Sequence, residues 1–149
     1  MLDKRRILAK IDELNTYLGE LRVVAPDSFE EYGQIEKKRS CETLLQLCIQ
    51  CVIDISRIMV SGLRLGLPAD ENDLFVKLRK KGIISAAMSS LLSQMRGFRN
   101  VLVHEYALVD DEIVFKYVKT RLADFDNFKK SIQKVLKNQN KRKKENSGK

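Results

Sequence analysis

An arginine, an amide, an imidazole, a carboxylate and a phenol fall within eight residues of one another at Arg99, Asn100, His104, Glu105 and Tyr106. Packing a hydrophobic core does not require that set, and His104 is the only histidine in the chain. The Arg99 guanidinium is a permanently charged planar fork that matches a phosphate. His104 is the side chain that trades a proton near neutral pH without help from its surroundings. Together they offer a site for a phosphate and a carrier for a proton. On an ideal helix the step from Arg99 to His104 turns through about 140°, so the two do not share a face. Asn100 and His104 do share one, as do Arg99 and Tyr106. Either the helix ends or distorts inside the motif, or the site is completed from another subunit. Glu105 reads as a solvated helix residue, with orientation of an imidazole as its other use.

These residues sit at the end of an amphipathic segment whose Met88, Leu91, Leu92, Met95, Phe98 and Leu102 form an inner stripe. Ser85 is placed to cap it. Upstream, Ile7, Ile11, Leu14, Leu18 and Leu21 recur at helical steps over residues 3–23. Pro26-Asp27 breaks that helix, and Ser28 with Glu31 forms a capping box for the next. The second helix is expected to run to about Ser61, with a bend or a protrusion where Glu36-Lys37-Lys38-Arg39-Ser40 offers nothing apolar. Leu74, Phe75 and Leu78 make a short third helix that Gly82 ends as a left-handed cap. Asp111 is placed to cap a last helix carrying Val114, Tyr117, Val118, Leu122, Phe125, Phe128, Ile132 and Val135. No strand alternation, internal repeat or Gly-rich phosphate loop is present. The expected fold is all-α, an antiparallel bundle of four to five helices. One domain covers residues 1–137, followed by a basic tail over 138–149 that reads as disordered.

Composition narrows the function classes. The chain has 149 residues, 44% hydrophobic and 32% charged, with a formal charge of +8. About half of that charge lies in residues 141–149, where five cations face one Glu, so the body is only mildly basic. A basic end attracts RNA, DNA or an acidic membrane surface, and it is equally what a solvated tail looks like. Met1-Leu2-Asp3-Lys4 opens on charge rather than an apolar leader, which predicts a cytoplasmic protein. The most apolar stretch, Leu44–Val60, carries Gln46, Gln50, Asp54 and Arg57 along one stripe that lipid would not tolerate, so no membrane is expected. Cys41, Cys48 and Cys51 lie on the same stretch. Cys48 and Cys51 match C-x-x-C in form, but no second pair or nearby His completes a metal site. They read as small apolar residues on a packed face, and neither metal nor cofactor is expected.

Arg99, four residues, His104, one residue and Tyr106 form an R-x4-H-x-Y pattern that resembles the signature of the HepT toxins in the HEPN superfamily. Those are small all-α proteins paired with minimal nucleotidyltransferase (MNT) antitoxins. Asn100 fits the superfamily's preference for a polar residue after the arginine. The segment Leu44 to Ile55, then Leu67-Pro68, Gly82-Ile83-Ile84-Ser85 and Gly97 to Tyr106, follow in the family's usual order. The resemblance covers about residues 3–137. It implies a metal-independent endoribonuclease whose Arg99 and His104 act at a homodimer interface, with Asn100 in support. It also implies that Tyr106 accepts AMP from the cognate nucleotidyltransferase, which silences the toxin. Cleavage by a ribose 2′-hydroxyl needs a base, an acid and donors for the phosphorane charge. One His per chain supplies one proton carrier, and two chains about a two-fold axis supply two. The alternative is a HEPN-like module that binds a nucleotidyltransferase or a nucleotide without cutting RNA.

Overall fold

Asp3 starts the first helix by accepting the Arg6 amide at 3.1 Å, and α1 runs from Lys4 to Val24. Its five periodic residues, Ile7, Ile11, Leu14, Leu18 and Leu21, are all buried, so the apolar stripe sets which face α1 lays on the bundle. The computed structural model describes residues 2–147. Ser28 accepts the Glu31 amide at 3.1 Å while the Glu31 carboxylate takes the Asp27 amide at 2.9 Å, a reciprocal cap for the short α2, Phe29–Tyr32. The long α3, Ile35–Gly62, then forms the centre: α1, α4, α5, α6 and α7 all contact it. The remaining helices are α4 (Glu71–Lys80), α5 (Ala86–His104), α6 (Asp111–Thr120) and α7 (Ala123–Ser147). A 3-10 turn, Tyr106–Leu108, follows α5, and no strand occurs among the described residues.

The all-α class holds, but among the described residues seven α-helices replace the expected four to five. Two breaks account for the excess. Gly33-Gln34 interrupts the second expected helix, because Tyr32 is fully buried, stacked on Phe29 and tilted against Phe115, which turns α2 toward α6. Arg121-Leu122 interrupts the last one; the Thr120 hydroxyl bonds back to the Lys116 carbonyl at 2.7 Å, competing with the helix ladder where it ends. Helix α3 is continuous through residues 36–40. Lys37 pairs with Glu31, Lys38 with Asp111 at 2.7 Å and Arg39 with Glu42 at 3.0 Å, so this charged turn is held in place by ion pairs instead of apolar contacts.

The cap of α6 needs correction. Asp110, not Asp111, caps α6 by accepting the amides of Glu112 and Ile113, which leaves the Asp111 carboxylate to bind Lys38. Helix α7 continues past Asn138 to Ser147, while its last buried residue among those described is Leu136. Residues 137–147 hold seven Lys, Arg, Gln and Glu beside three Asn and one Ser, with no Pro or Gly, and the former extend a helix already nucleated by the packed part.

Other readings stand. Gly82 adopts φ +83° after α4, and its amide reaches the Arg79 carbonyl at 2.9 Å. Ser85 accepts the Met88 amide at 3.0 Å and starts α5. The three cysteines are buried and free. Burial pushes the Cys48 thiol up to about 12 and the Cys51 thiol up to about 11. Helix α3 is long and apolar enough to cross a membrane by composition, but most of it is buried within the bundle. Its polar stripe is engaged too, with Gln50 donating to Asp54 at 2.9 Å and Lys10 pairing with Asp54 at 3.4 Å.

Candidate active site

Burial of Ser89, Leu92, Met95 and Leu102 fixes the rotation of α5 about its axis. That rotation turns Arg96 and Arg99 toward α3 and α4. The Arg99 Nη1 donates to the Gln50 Oε1 at 2.7 Å, and its Nη2 donates to the Glu71 Oε1. The Arg96 Nε donates to the same Glu71 oxygen at 3.1 Å, and the Arg57 Nη2 reaches the other at 3.4 Å. Glu71 is the first residue of α4, directly after the capping Asp70. One carboxylate therefore gathers three guanidiniums from α3 and α5.

Burial pushes the Glu71 carboxyl up, but the hydrogen bond from Arg96 and the charges of Arg99 and Arg96 outweigh it and hold the group below its ordinary value. Glu71 is thus an anion at neutral pH. The Arg99 side chain is only 14% exposed, and its Nε is buried with no hydrogen-bond partner. The sequence treats Arg99 as a residue outside the packed framework. In the fold it is also a tie between α5, α3 and α4.

An open pocket of about 610 Å³ lies over this cluster, and Glu71, Arg96, Arg99, Asn100, His104 and Glu105 line it. Of the five singled-out residues, Arg99, Asn100, His104 and Glu105 line it, and the Tyr106 side chain lies outside the described residues. Arg99 and His104 share the pocket although both are helical and about 140° apart around the axis. The long Arg99 side chain reaches inward across the pocket floor, while His104 stands exposed at the helix end. Neither an ion pair nor a hydrogen bond ties His104 to Glu105 among the described residues, so the imidazole is open to solvent and to a ligand.

The helix stops at His104. Glu105 leaves helical geometry at φ −125° and ψ 44°, its amide bonding back to the Val101 carbonyl at 3.0 Å. Leu102 is the last buried residue of α5, so no packing holds a further turn. Tyr106 opens the 3-10 turn and does not continue on the Arg99 face of α5, as an unbroken helix would require. Its backbone follows directly after Glu105, which lines the pocket.

Gln50, Arg57, Glu71 and Arg96 are the site residues that sequence reasoning missed. Gln50 and Arg57 did leave a signal, as members of a polar stripe on an otherwise apolar helix. Glu71 left none, because an acid one residue after Asp70 is what any first helical turn carries. Among the described residues no group of three or more His, Cys, Asp or Glu is arranged to hold a metal ion.

The sequence profile of a family described as "Ribonuclease HepT-like" matches residues 7–132. A protein named tRNA nuclease HepT, from Aphanizomenon flos-aquae, is 28% identical over 131 residues, 87% of this chain and 89% of that protein. One named mRNA nuclease HepT, from Shewanella oneidensis, is 29% identical over 122 residues, 82% of this chain and 92% of that protein. Among solved structures, a tri-AMPylated Shewanella oneidensis HEPN toxin in complex with an MNT antitoxin superposes with a TM-score of 0.80 at 28% identity, covering 85% of this chain and 96% of that one.

Proposed function

This chain belongs to the HepT-like ribonuclease family, and from that premise we propose that it is the ribonuclease toxin of a toxin–antitoxin pair, cutting RNA at the Arg99–His104 pocket without a metal ion. The observation that carries this reading is the convergence of Arg99, Asn100 and His104 on one open pocket. A phosphodiester seated there meets the guanidinium layer from below and the imidazole from the rim. His104 moves the proton of the attacking 2′-hydroxyl or of the leaving 5′-oxygen, and Arg99 with Asn100 donates to the phosphorane oxygens. One imidazole performs one of the two proton transfers. A homodimer that sets two α5 ends against each other supplies the other, and Val103 (42% exposed) and Leu108 (73% exposed) at this end of α5 offer apolar surface to bury.

The partner in this reading is an MNT nucleotidyltransferase that attaches AMP to Tyr106. A phosphodiester so close to His104 brings negative charge and adenosine bulk to the mouth of the pocket, competing with RNA. The test is cleavage of RNA with EDTA present, before and after incubation with the partner, ATP and Mg²⁺. Cleavage by the untreated protein is expected. So is a mass gain in units of AMP that is absent in Tyr106→Phe, with activity lost only in the modified form. A Tyr106→Phe protein that the partner inhibits equally well would replace AMP attachment with inhibition by binding.

One observation favours the second reading, a module that binds a partner or nucleotide without cutting. Arg99 is already paired with Glu71, so its charge is partly spent. No cleavage under any ionic condition, with intact binding of the nucleotidyltransferase, is the result that selects it.

A further inference from the structure

We propose that a second, basic pocket at the opposite end of α4 is a docking site for the phosphate backbone of single-stranded RNA. The pocket measures about 330 Å³ and lies between the Gly82 turn and α7; Lys81, Lys134 and Arg142 line it, with the side-chain amides of Asn138 and Gln139 alongside. The site rests on the ribonuclease reading above, for which it supplies substrate affinity.

Charge is the first observation. From residue 127 to residue 144 the chain carries eight Lys and Arg and no Asp or Glu. Elsewhere the bundle pairs cations closely, Lys38 with Asp111, Arg22 with Asp126 and Arg121 with Asp124, and at the start of this stretch Lys129 pairs with Asp126 too. Lys81, Lys134 and Arg142 have no carboxylate within ion-pair distance among the described residues. Three like charges brought to one concavity repel each other, and a chain of phosphates is the ligand that turns this repulsion into affinity. The amides of Asn138 and Gln139 add donors and acceptors that a ribose or base edge can use.

Position is the second. Glu71, at the start of α4, belongs to the candidate active site, and Lys81 directly follows the helix's last residue, Lys80. Ten residues of helix separate the two pockets by roughly 15 Å, a span that a few nucleotides of extended strand cover. The third observation is a deficit. Glu71 offsets the arginines of the catalytic pocket, so that pocket is poor in free positive charge. Affinity for RNA then has to come from elsewhere on the surface. The continued helix α7, which the sequence reads as a disordered tail, holds Arg142 in register with Lys134 and makes this pocket possible.

The experiment uses the full chain carrying His104→Ala, so that RNA survives, with and without Lys81→Ala, Lys134→Ala and Arg142→Ala together. Anisotropy of a fluorescein-labelled single-stranded RNA is followed across a salt titration. All three substituted positions are exposed, and circular dichroism checks that the fold is kept. The triple variant is expected to bind about tenfold more weakly at low salt, and the slope of log K against log salt should flatten by about 2, at roughly 0.7 for each phosphate no longer neutralised. With His104 restored, the triple variant should raise KM for RNA and leave kcat unchanged. Unchanged affinity and slope would overturn the site. So would loss of binding to the partner nucleotidyltransferase with RNA binding intact, which would make the patch a protein-docking surface. A parent protein that binds RNA through these residues but cuts none would overturn the ribonuclease reading and uphold this site.

Discussion

Two stretches of this chain look equally chemical on paper: Cys48-Ile49-Gln50-Cys51 on α3 and the Arg99 to His104 segment that ends α5. The fold treats them in opposite ways. Cys48 is fully buried and Cys51 nearly so, and burial has raised both thiols far above neutrality, so neither forms the thiolate on which metal binding or redox chemistry depends. His104 is exposed on an open pocket, and Arg99 sits beneath it in a lattice of charged hydrogen bonds. Gln50 lies within the cysteine motif and yet serves the other site, since its amide oxygen receives Arg99. The lesson is that a reactive residue type carries chemistry only where the fold leaves it solvent access and polar partners.

The largest test of that contrast is on the exposed side. His104→Ala is expected to lower RNA cleavage by about 10²–10⁴, with the thermal unfolding curve unmoved, because nothing in the fold leans on this imidazole. Arg99→Ala should lose a similar factor and also destabilise the protein by about 1–3 kcal/mol, since it removes the guanidinium that ties Gln50 to Glu71 and leaves the carboxylate only Arg96 and Arg57. Denaturant unfolding separates the two variants. A parent rate for purified His104→Ala would remove the proposed chemistry, and an unshifted midpoint for Arg99→Ala would remove its structural role.

On the buried side the expected signs reverse. Cys48→Ser should leave cleavage unchanged and cost about 1–3 kcal/mol for burying a hydroxyl. The lower end is expected where the hydroxyl bonds to the preceding turn, as Ser56 does with the Val52 carbonyl at 2.8 Å. Alkylation of Cys48 and Cys51 should follow global unfolding, with no fast phase in the native protein. A fast phase, or abolished cleavage in Cys48→Ser, would put chemistry back on α3.

The smallest effect sharpens the comparison within the active pocket. The Glu71 carboxyl is held below its ordinary value, so its contribution is fully present above about pH 4.5 and fades as pH falls through the lower folded value. Glu71→Gln should therefore flatten part of the acid limb of the stability profile, by an amount on the order of 1 kcal/mol, and should raise RNA affinity at neutral pH by freeing Arg99. Identical acid limbs for parent and variant would show that the arginines do not depend on this carboxylate.

The sequence by itself determined the helices and the faces they bury. The five apolar residues of α1, the caps at Ser28 and Ser85 and the left-handed turn at Gly82 were legible because helical periodicity and capping act over three or four residues. Arg99, Asn100 and His104 were legible as residue types in a local pattern, and the pocket brings them together. Where helices stop was less legible. The break at Gly33 depends on Tyr32 meeting Phe115 across the bundle, and the end of α5 depends on where burial runs out at Leu102. Only the tertiary structure assigned Glu71 and Gln50 to Arg99, from positions 28 and 49 residues away. A carboxylate near a helix start looks the same in sequence whether it faces water or an arginine. The charge partner is chosen by how α3, α4 and α5 pack together, and no local spacing encodes that choice.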